Sequence, residues 1–139
     1  MNKIILAILA VFFWGCSSAK NKLNTDYANL GPNSAEYVAQ GMFEIITKNR
    51  IAKRTSFVLD RDDTVSLFLF KKLRAAGFGI STTDNMNSTN INWVIQPLND
   101  SKGVVFARFM VGNKDYSQLY RVTADNIEPI SKISQGNWE

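Results

Sequence analysis

Three β-like runs in the second half of the chain constrain the fold more than any other feature. They cover residues 91–98, 104–111 and 116–123, and each contains several β-branched or aromatic residues. Gly112 and Asn113 join the last two runs and suit a two-residue type II′ hairpin turn, in which glycine must come first. Because connections this short pair neighbouring strands antiparallel, we expect a β-meander.

Two helices are predicted ahead of the meander. The first covers residues 35–49, with Ser34 as its N-cap. The second begins at the carboxylates of residues 60–63, which cap free N–H groups, and runs to about Ala76, before Gly77. Its predicted core face consists of Val65, Phe68, Leu69, Leu73 and Ala76.

Short extended segments complete the predicted domain. Residues 55–59 and 78–81 flank the second helix as strands, and residues 82–90 form a polar loop. Residues 127–130 form a last strand, which Pro129 confines to a sheet edge. The fold class is therefore α+β, a small two-layer sandwich with two helices on one face of a mostly antiparallel sheet.

The first residues have the pattern of an export signal. Lys3 precedes an apolar run over residues 4–14, which is shorter than the roughly 20 residues that a membrane-spanning helix needs. Gly15 and Cys16 follow, and Cys16 is the single cysteine of the chain. A small residue before a lone cysteine at this place resembles the lipobox of bacterial lipoproteins. The resemblance implies a signal peptide over residues 1–15, cleavage before Cys16 and acylation of that cysteine.

The lipobox departs from the usual pattern at two positions, and an ordinary secretory signal with an incidental cysteine is the alternative. Phe13 and Trp14 stand where Leu and a small residue are usual. Ser17, rather than Asp, follows the cysteine, which favours the outer membrane over retention in the inner membrane. Residues 16–33 are predicted to form a lipidated tether, whose few apolar residues could instead lie in a partner's groove. Residues 34–139 are predicted to form a periplasmic domain.

The composition excludes several kinds of chemistry. The chain has no histidine and one cysteine, so neither a Ser-His-Asp or Cys-His arrangement nor a His-based or multi-Cys metal site can form. We predict no catalytic residues, no metal site and no cofactor. Asp60, Asp62 and Asp63 lie close together, but Lys71 occupies the region where an EF-hand needs a Glu, so helix capping is the preferred interpretation.

The charge pattern gives no sign of direct nucleic-acid binding. Sixteen Lys and Arg against twelve Asp and Glu give a formal net charge of +4. The basic residues are scattered, and no zinc-ligand spacing or arginine-rich tract accompanies them.

One group of residues on the second helix is a candidate partner-binding patch. Leu67 and Phe70 fall outside the core stripe, beside Lys71 and Arg74. An exposed Leu–Phe pair surrounded by cations is typical of a protein-docking surface. The alternative is that Phe70 packs sideways under the loop at residues 82–90.

Several short strings resemble one known family by their order and spacing. They cover residues 55–59, 73–78, 106–113 and 117–121. This layout resembles the TrbH-type conjugal transfer lipoproteins, from about residue 40 to the end of the chain. The resemblance implies a structural component of a type IV secretion apparatus, attached to the outer membrane by lipid and facing the periplasm.

The resemblance also implies partners and a fold. The partners would be the other subunits of the outer-membrane core complex, in a multi-subunit ring, and the domain would resemble the small N0 domain of secretins. The family assigns no catalytic residues. Two other functional classes remain open: a free-standing periplasmic module that binds the cell wall or a small partner, and, least favoured, an enzyme.

Overall fold

The computed structural model describes residues 24–48, 50, 52–59, 63–83, 87–100, 102–124 and 126–137. Cys16, the predicted signal peptide and residues 17–23 of the predicted tether lie outside the described residues. The elements in chain order are β1 (Asn24–Asp26), α1 (Pro32–Thr47), a 3-10 turn (Ala52–Arg54), β2 (Ser56–Val58), α2 (Thr64–Ala75), β3 (Gly79–Ser81), β4 (Thr89–Pro97), β5 (Val104–Val111), β6 (Lys114–Val122), β7 (Ile127–Pro129) and β8 (Ser134–Asn137). Neither described helix is long and apolar enough to cross a membrane.

The eight strands form a mostly antiparallel sheet, which confirms the predicted fold class. The order is β3-β2-β4-β5-β6-β7, and the β4-β5-β6 meander is antiparallel throughout. β2 and β1 pair with the same edge of β4, both in parallel, at Phe57↔Thr89 and Asn24↔Trp93. β7 and β8 share the outer edge of β6 in the same manner, both antiparallel.

The meander turns as the sequence predicts. Val111 and Lys114 are paired across a two-residue connection. Gly112 has a φ of +61°, and Asn113 is not among the described residues with positive φ. This combination, with a positive φ at the first turn position and not at the second, fits type II′. Type I′ needs a positive φ at both positions.

The first helix begins earlier than predicted. Gly31 is its N-cap residue and contributes no side-chain hydrogen bond, and Pro32 occupies the first turn. Proline suits that position because its φ is already helical and the N–H that it lacks would have no helical partner. The prediction of Ser34 as N-cap is therefore wrong: Ser34 lies within the helix and is buried.

The second helix follows the prediction closely. Asp63 caps it, accepting a hydrogen bond from the Ser66 N–H, while the Ser66 hydroxyl accepts one from the Asp63 N–H. Gly77 follows with a φ of +89°. Ala76, predicted in the core face, is exposed, because it is the C-cap residue and lies beyond the last full turn. Ser66 is fully buried instead, since the capping box holds it against the helix start.

Two short strands lie where none is predicted. β1 places residues 24–26 of the predicted tether in the sheet, and β8 adds residues 134–137 at the opposite edge. Both segments are polar and show no apolar alternation. Their strand structure comes from backbone pairing with β4 and β6, which no local pattern reveals.

The hydrophobic core lies between the helices and one face of the sheet. Side chains alternate along the meander strands, so every second residue of β4 and β5 points to the helices. The largest fully buried side chains are Trp93, Phe57, Met42, Leu59, Leu69, Leu73, Ile91, Ile95, Val38 and Val65.

Candidate protein-binding site

The predicted patch on α2 is partly exposed. Leu67 is 47% exposed, and Lys71 and Arg74 lie exposed one and two turns further along the same helix. Phe70 is half-buried and packs against the hydrophobic core. The three exposed residues therefore form one stripe, with Leu67 as its exposed apolar side chain, and Phe70 contributes to packing.

The acidic cluster at the start of α2 is a structural feature where it is described. Asp60 and Asp62 lie outside the described residues. Asp63 uses one carboxylate oxygen to cap α2, and its other oxygen accepts a hydrogen bond from the Trp93 indole N–H at 3.3 Å. In the described part of the chain, no group of three His, Cys, Asp or Glu side chains could hold a metal ion.

A second carboxylate lies near Asp63, and the sequence does not reveal the pair. Burial raises the pKa of Asp26, hydrogen bonds from the Leu30 and Ala28 N–H groups oppose the rise, and the negative charge of Asp63 adds to it. Both oxygens of Asp26 accept those hydrogen bonds, at 2.8 and 2.9 Å. All four oxygens of the two carboxylates are thus occupied by groups of the protein, which suits a structural role rather than acid-base catalysis.

A groove between α1 and β6 forms a concave surface beside the helices. It has two neighbouring cavities, of about 220 and 240 Å³, and Ile45 lines both. We refer to it as the α1–β6 groove. It exists because two helices, each about 10 Å wide, do not reach across the whole sheet and leave the inner face of β6 partly uncovered.

One end of the α1–β6 groove combines aromatic and apolar side chains with the polar side chains of Gln40 and Glu44. The rings of Tyr37 and Tyr120 meet edge to face with centroids 6.3 Å apart, and the Tyr120 hydroxyl donates a hydrogen bond to Gln118 Oε1 at 2.9 Å. Burial, with a smaller contribution from Tyr37, raises the pKa of Tyr120 to about 12. Ile133, 46% exposed, and Pro129 line the same cavity.

The other end of the groove is basic. Arg50 and Lys114 line it, and Lys114 is exposed. The Arg50 guanidinium lies 5.7 Å from the centroid of the Phe57 ring. Neither cation takes part in an ion pair among the described residues. A groove with aromatic and apolar side chains at one end and two cations at the other fits a protein segment that carries apolar side chains and a carboxylate.

The sequence does not predict the groove because its walls come from segments far apart in the chain. Residues 37–45 of α1 meet residues of β6, β7 and the β7–β8 connection, with Gly41 facing Tyr120. A Cβ at position 41 would lie 3.7 Å from the Tyr120 hydroxyl, an ordinary contact distance. The exposure of Tyr37 and Ile133, two large apolar residues at polar-rich positions, is the signal that sequence inspection could have used.

These features define a small α+β domain, with a groove and a basic stripe on its helix side. The family described as Conjugal transfer protein TrbH matches residues 17–137. The match covers most of the chain, and the chain belongs to this family of conjugal transfer proteins. No curated protein and no solved structure is significantly similar to the chain.

Proposed function

We propose that this protein is a structural outer-membrane lipoprotein of a conjugal type IV secretion apparatus. It anchors and braces the outer-membrane core complex through protein–protein contacts. The observation that carries the proposal is the family match, which extends over residues 17–137 and so includes the described domain.

The anchor in this proposal is Cys16. An apolar run and a small residue precede the cysteine, and a polar segment follows it. Acyl chains contribute about 0.8 kcal/mol per buried CH₂, so several chains on one residue make attachment to a membrane stable. The segment between Cys16 and β1 then connects the lipid to the folded domain.

The contacts in this proposal are made by the helix side of the domain. The α1–β6 groove offers aromatic and apolar side chains next to two cations, and the Leu67 stripe offers an apolar side chain next to two more. Partner subunits that present apolar side chains beside carboxylates complement both surfaces in shape and charge.

The intact mass of the membrane-fraction protein tests the anchor. We expect a mature chain that starts at Cys16 and carries three acyl chains, and a Cys16→Ser variant that lacks them and leaves the membrane fraction. Conjugation between donor and recipient cells, measured in parallel, should fall for the variant. An unmodified wild-type chain cut near the same place would remove the anchor from the proposal.

Two substitutions at equally exposed residues test the contacts. Ile133→Asp changes the α1–β6 groove and Leu67→Asp changes the stripe on α2, and the two side chains are 46% and 47% exposed. We expect each variant to fold and to recover less of the core complex after detergent extraction. Asn99→Asp, in an exposed turn, adds a charge outside both surfaces and is the matched control. Undiminished recovery with both variants would contradict binding through the helix side.

A further inference from the structure

The sheet face opposite the helices carries a group of apolar side chains that do not belong to the core. The even-numbered residues of β4 and β5 and the odd-numbered residues of β6 point to this side, which we call the open sheet face. Its apolar members are Val94, Val104, Phe106, Met110 and Leu119. All five are half-buried, and none is among the residues of the core or packed against it. Neither described helix covers this face.

The charged side chains of the open sheet face largely neutralise one another. Arg108 and Asp115 form a forked ion pair across β5 and β6, with nitrogen–oxygen distances of 2.8 to 3.1 Å. Arg121 and Glu128 pair across β6 and β7 at 3.6 Å. Lys132, at the rim beside Phe106 and Leu119, is an exposed cation with a flexible stem. The centre of the face therefore presents apolar groups and ion pairs without net charge.

This neutrality limits which partner the open sheet face can take. The chain has a formal net charge of +4, and exposed cations lie on the helix side, as in Lys48, Lys71 and Arg74. Two copies that met through that side would bring like charges together. Two copies that met through the open sheet face would bring together apolar side chains and internally paired charges. A strongly acidic or basic partner would find no excess of opposite charge at its centre.

The size of the face also fits a second copy. Strands of eight or nine residues are about 30 Å long, and the meander with its flanking strands is about 20 Å wide. That gives on the order of 600 Å² per copy, or about 1,200 Å² in total, which is the lower limit for a specific protein–protein interface.

We propose that two copies of this chain associate through the open sheet face. The two sheets stack face to face, about 10 Å apart, around a two-fold axis, so that each apolar group meets the same surface of the other copy. The interface is separate from the α1–β6 groove, which stays accessible in the pair. This inference does not depend on the proposed role in a secretion apparatus.

The molecular mass of the full chain, purified in detergent and measured by sedimentation with the detergent contribution matched, tests the association. We expect a mass that rises with concentration to that of two chains. Phe106→Lys combined with Leu119→Lys should leave one chain over the same concentrations, because it adds like charges to an apolar contact. Leu67→Lys makes the same kind of change on the helix side and should leave the pair intact. A wild-type chain that stays single, or a pair that survives the double substitution, would overturn the proposal.

Cysteine cross-linking in cells tests the same contact with a smaller change. Ser117 lies on the open sheet face opposite Arg108, and Ser117→Cys replaces a half-buried side chain by one of similar size. In a Cys16→Ser background, and with a thiol-reactive cross-linker of about 10 Å that spans the distance between stacked sheets, we expect Ser117→Cys to form a linked pair of chains. Lys53→Cys, exposed on the 3-10 turn, should form none. If Ser117→Cys cross-links instead to a different protein, the face takes another partner and the assignment to a second copy is wrong.

Discussion

The two faces of the meander are built from the same strands and meet different surroundings. Along β5, Val105, Ala107, Phe109 and Val111 are buried under the helices, while Val104, Phe106, Arg108 and Met110 stay half-exposed. Both faces contain large apolar side chains, so composition does not distinguish them. The difference teaches that an apolar residue on a strand stabilises the fold only where another element of the chain covers it.

The largest contrast is expected between two phenylalanines on one strand. Phe109→Ala should lower the free energy of unfolding by about 3–5 kcal/mol, because it removes a core ring that stacks on Tyr116 with centroids 5.2 Å apart. Phe106→Ala, on the open sheet face, should cost about 1 kcal/mol or less. Urea unfolding at low protein concentration measures both, and equal losses would contradict the assignment of the two faces.

The contact between α2 and the core should give the next largest effect. Asp63→Ala removes the helix cap and leaves the buried Trp93 indole N–H without this acceptor, with an expected loss of about 2–3 kcal/mol. Asp63→Asn keeps an oxygen for the Ser66 N–H and should lose about half as much. Thermal or urea unfolding of the two variants separates the contribution of the helix cap from that of the Trp93 hydrogen bond. An alanine variant as stable as the wild type would refute both contributions.

Tyr120, at the border of the covered face, should make the free energy of unfolding depend on pH in the alkaline range. Because the folded-state pKa of Tyr120 is raised from 10.0 to about 12, the unfolded chain loses that proton first. The contribution of the protonated Tyr120 hydroxyl to the free energy of unfolding is complete below pH 10 and is lost as the pH rises towards 12. Tyr120→Phe should cost about 1 kcal/mol at neutral pH, through the lost hydrogen bond to Gln118, and should flatten this alkaline decline. Unfolding free energies measured from pH 8 to pH 12 would test both effects; an unchanged slope in the variant would count against burial of this hydroxyl.

The smallest effect is expected from the ion pair of the open sheet face. The Arg108 and Asp115 side chains are 38% and 23% exposed, so water and salt screen their attraction. A double-mutant cycle with Arg108→Ala and Asp115→Ala should give a coupling energy below about 1 kcal/mol, weaker at high salt. A much larger coupling energy would mean that the open sheet face is shielded from water to the same extent as the face under the helices.

The sequence predicts elements whose signals are local. The capping carboxylate at Asp63, the glycine at position 77 and the Gly112–Asn113 turn each depend on a few neighbouring residues, and all three are confirmed. The start of α1 is predicted wrongly because Ser34 and Pro32 both suit a helix start, and the proline prevails. The strands β1 and β8 escape prediction because their pairing partners are distant and their own sequences are polar.

The candidate site divides in the same way. The exposure of Leu67, Lys71 and Arg74 follows from helical spacing, whereas the packing of Phe70 depends on neighbours outside its helix. The α1–β6 groove and the proximity of Asp26 to Asp63 depend on which segments the fold brings together. Spacing within one helix predicts the exposed stripe on α2. It carries no information on the groove or on the distance between the two carboxylates.

The sequence alone determined the α+β class, the meander with its turn and the absence of histidine chemistry, because alternation, turn residues and composition act over a few residues or none. The tertiary structure decided which face of β5 became core, since both faces of that strand carry apolar side chains and only the helices distinguish them. It also decided that β6 keeps an uncovered inner face, because the width of two helices, set by their packing, falls short of the width of the sheet.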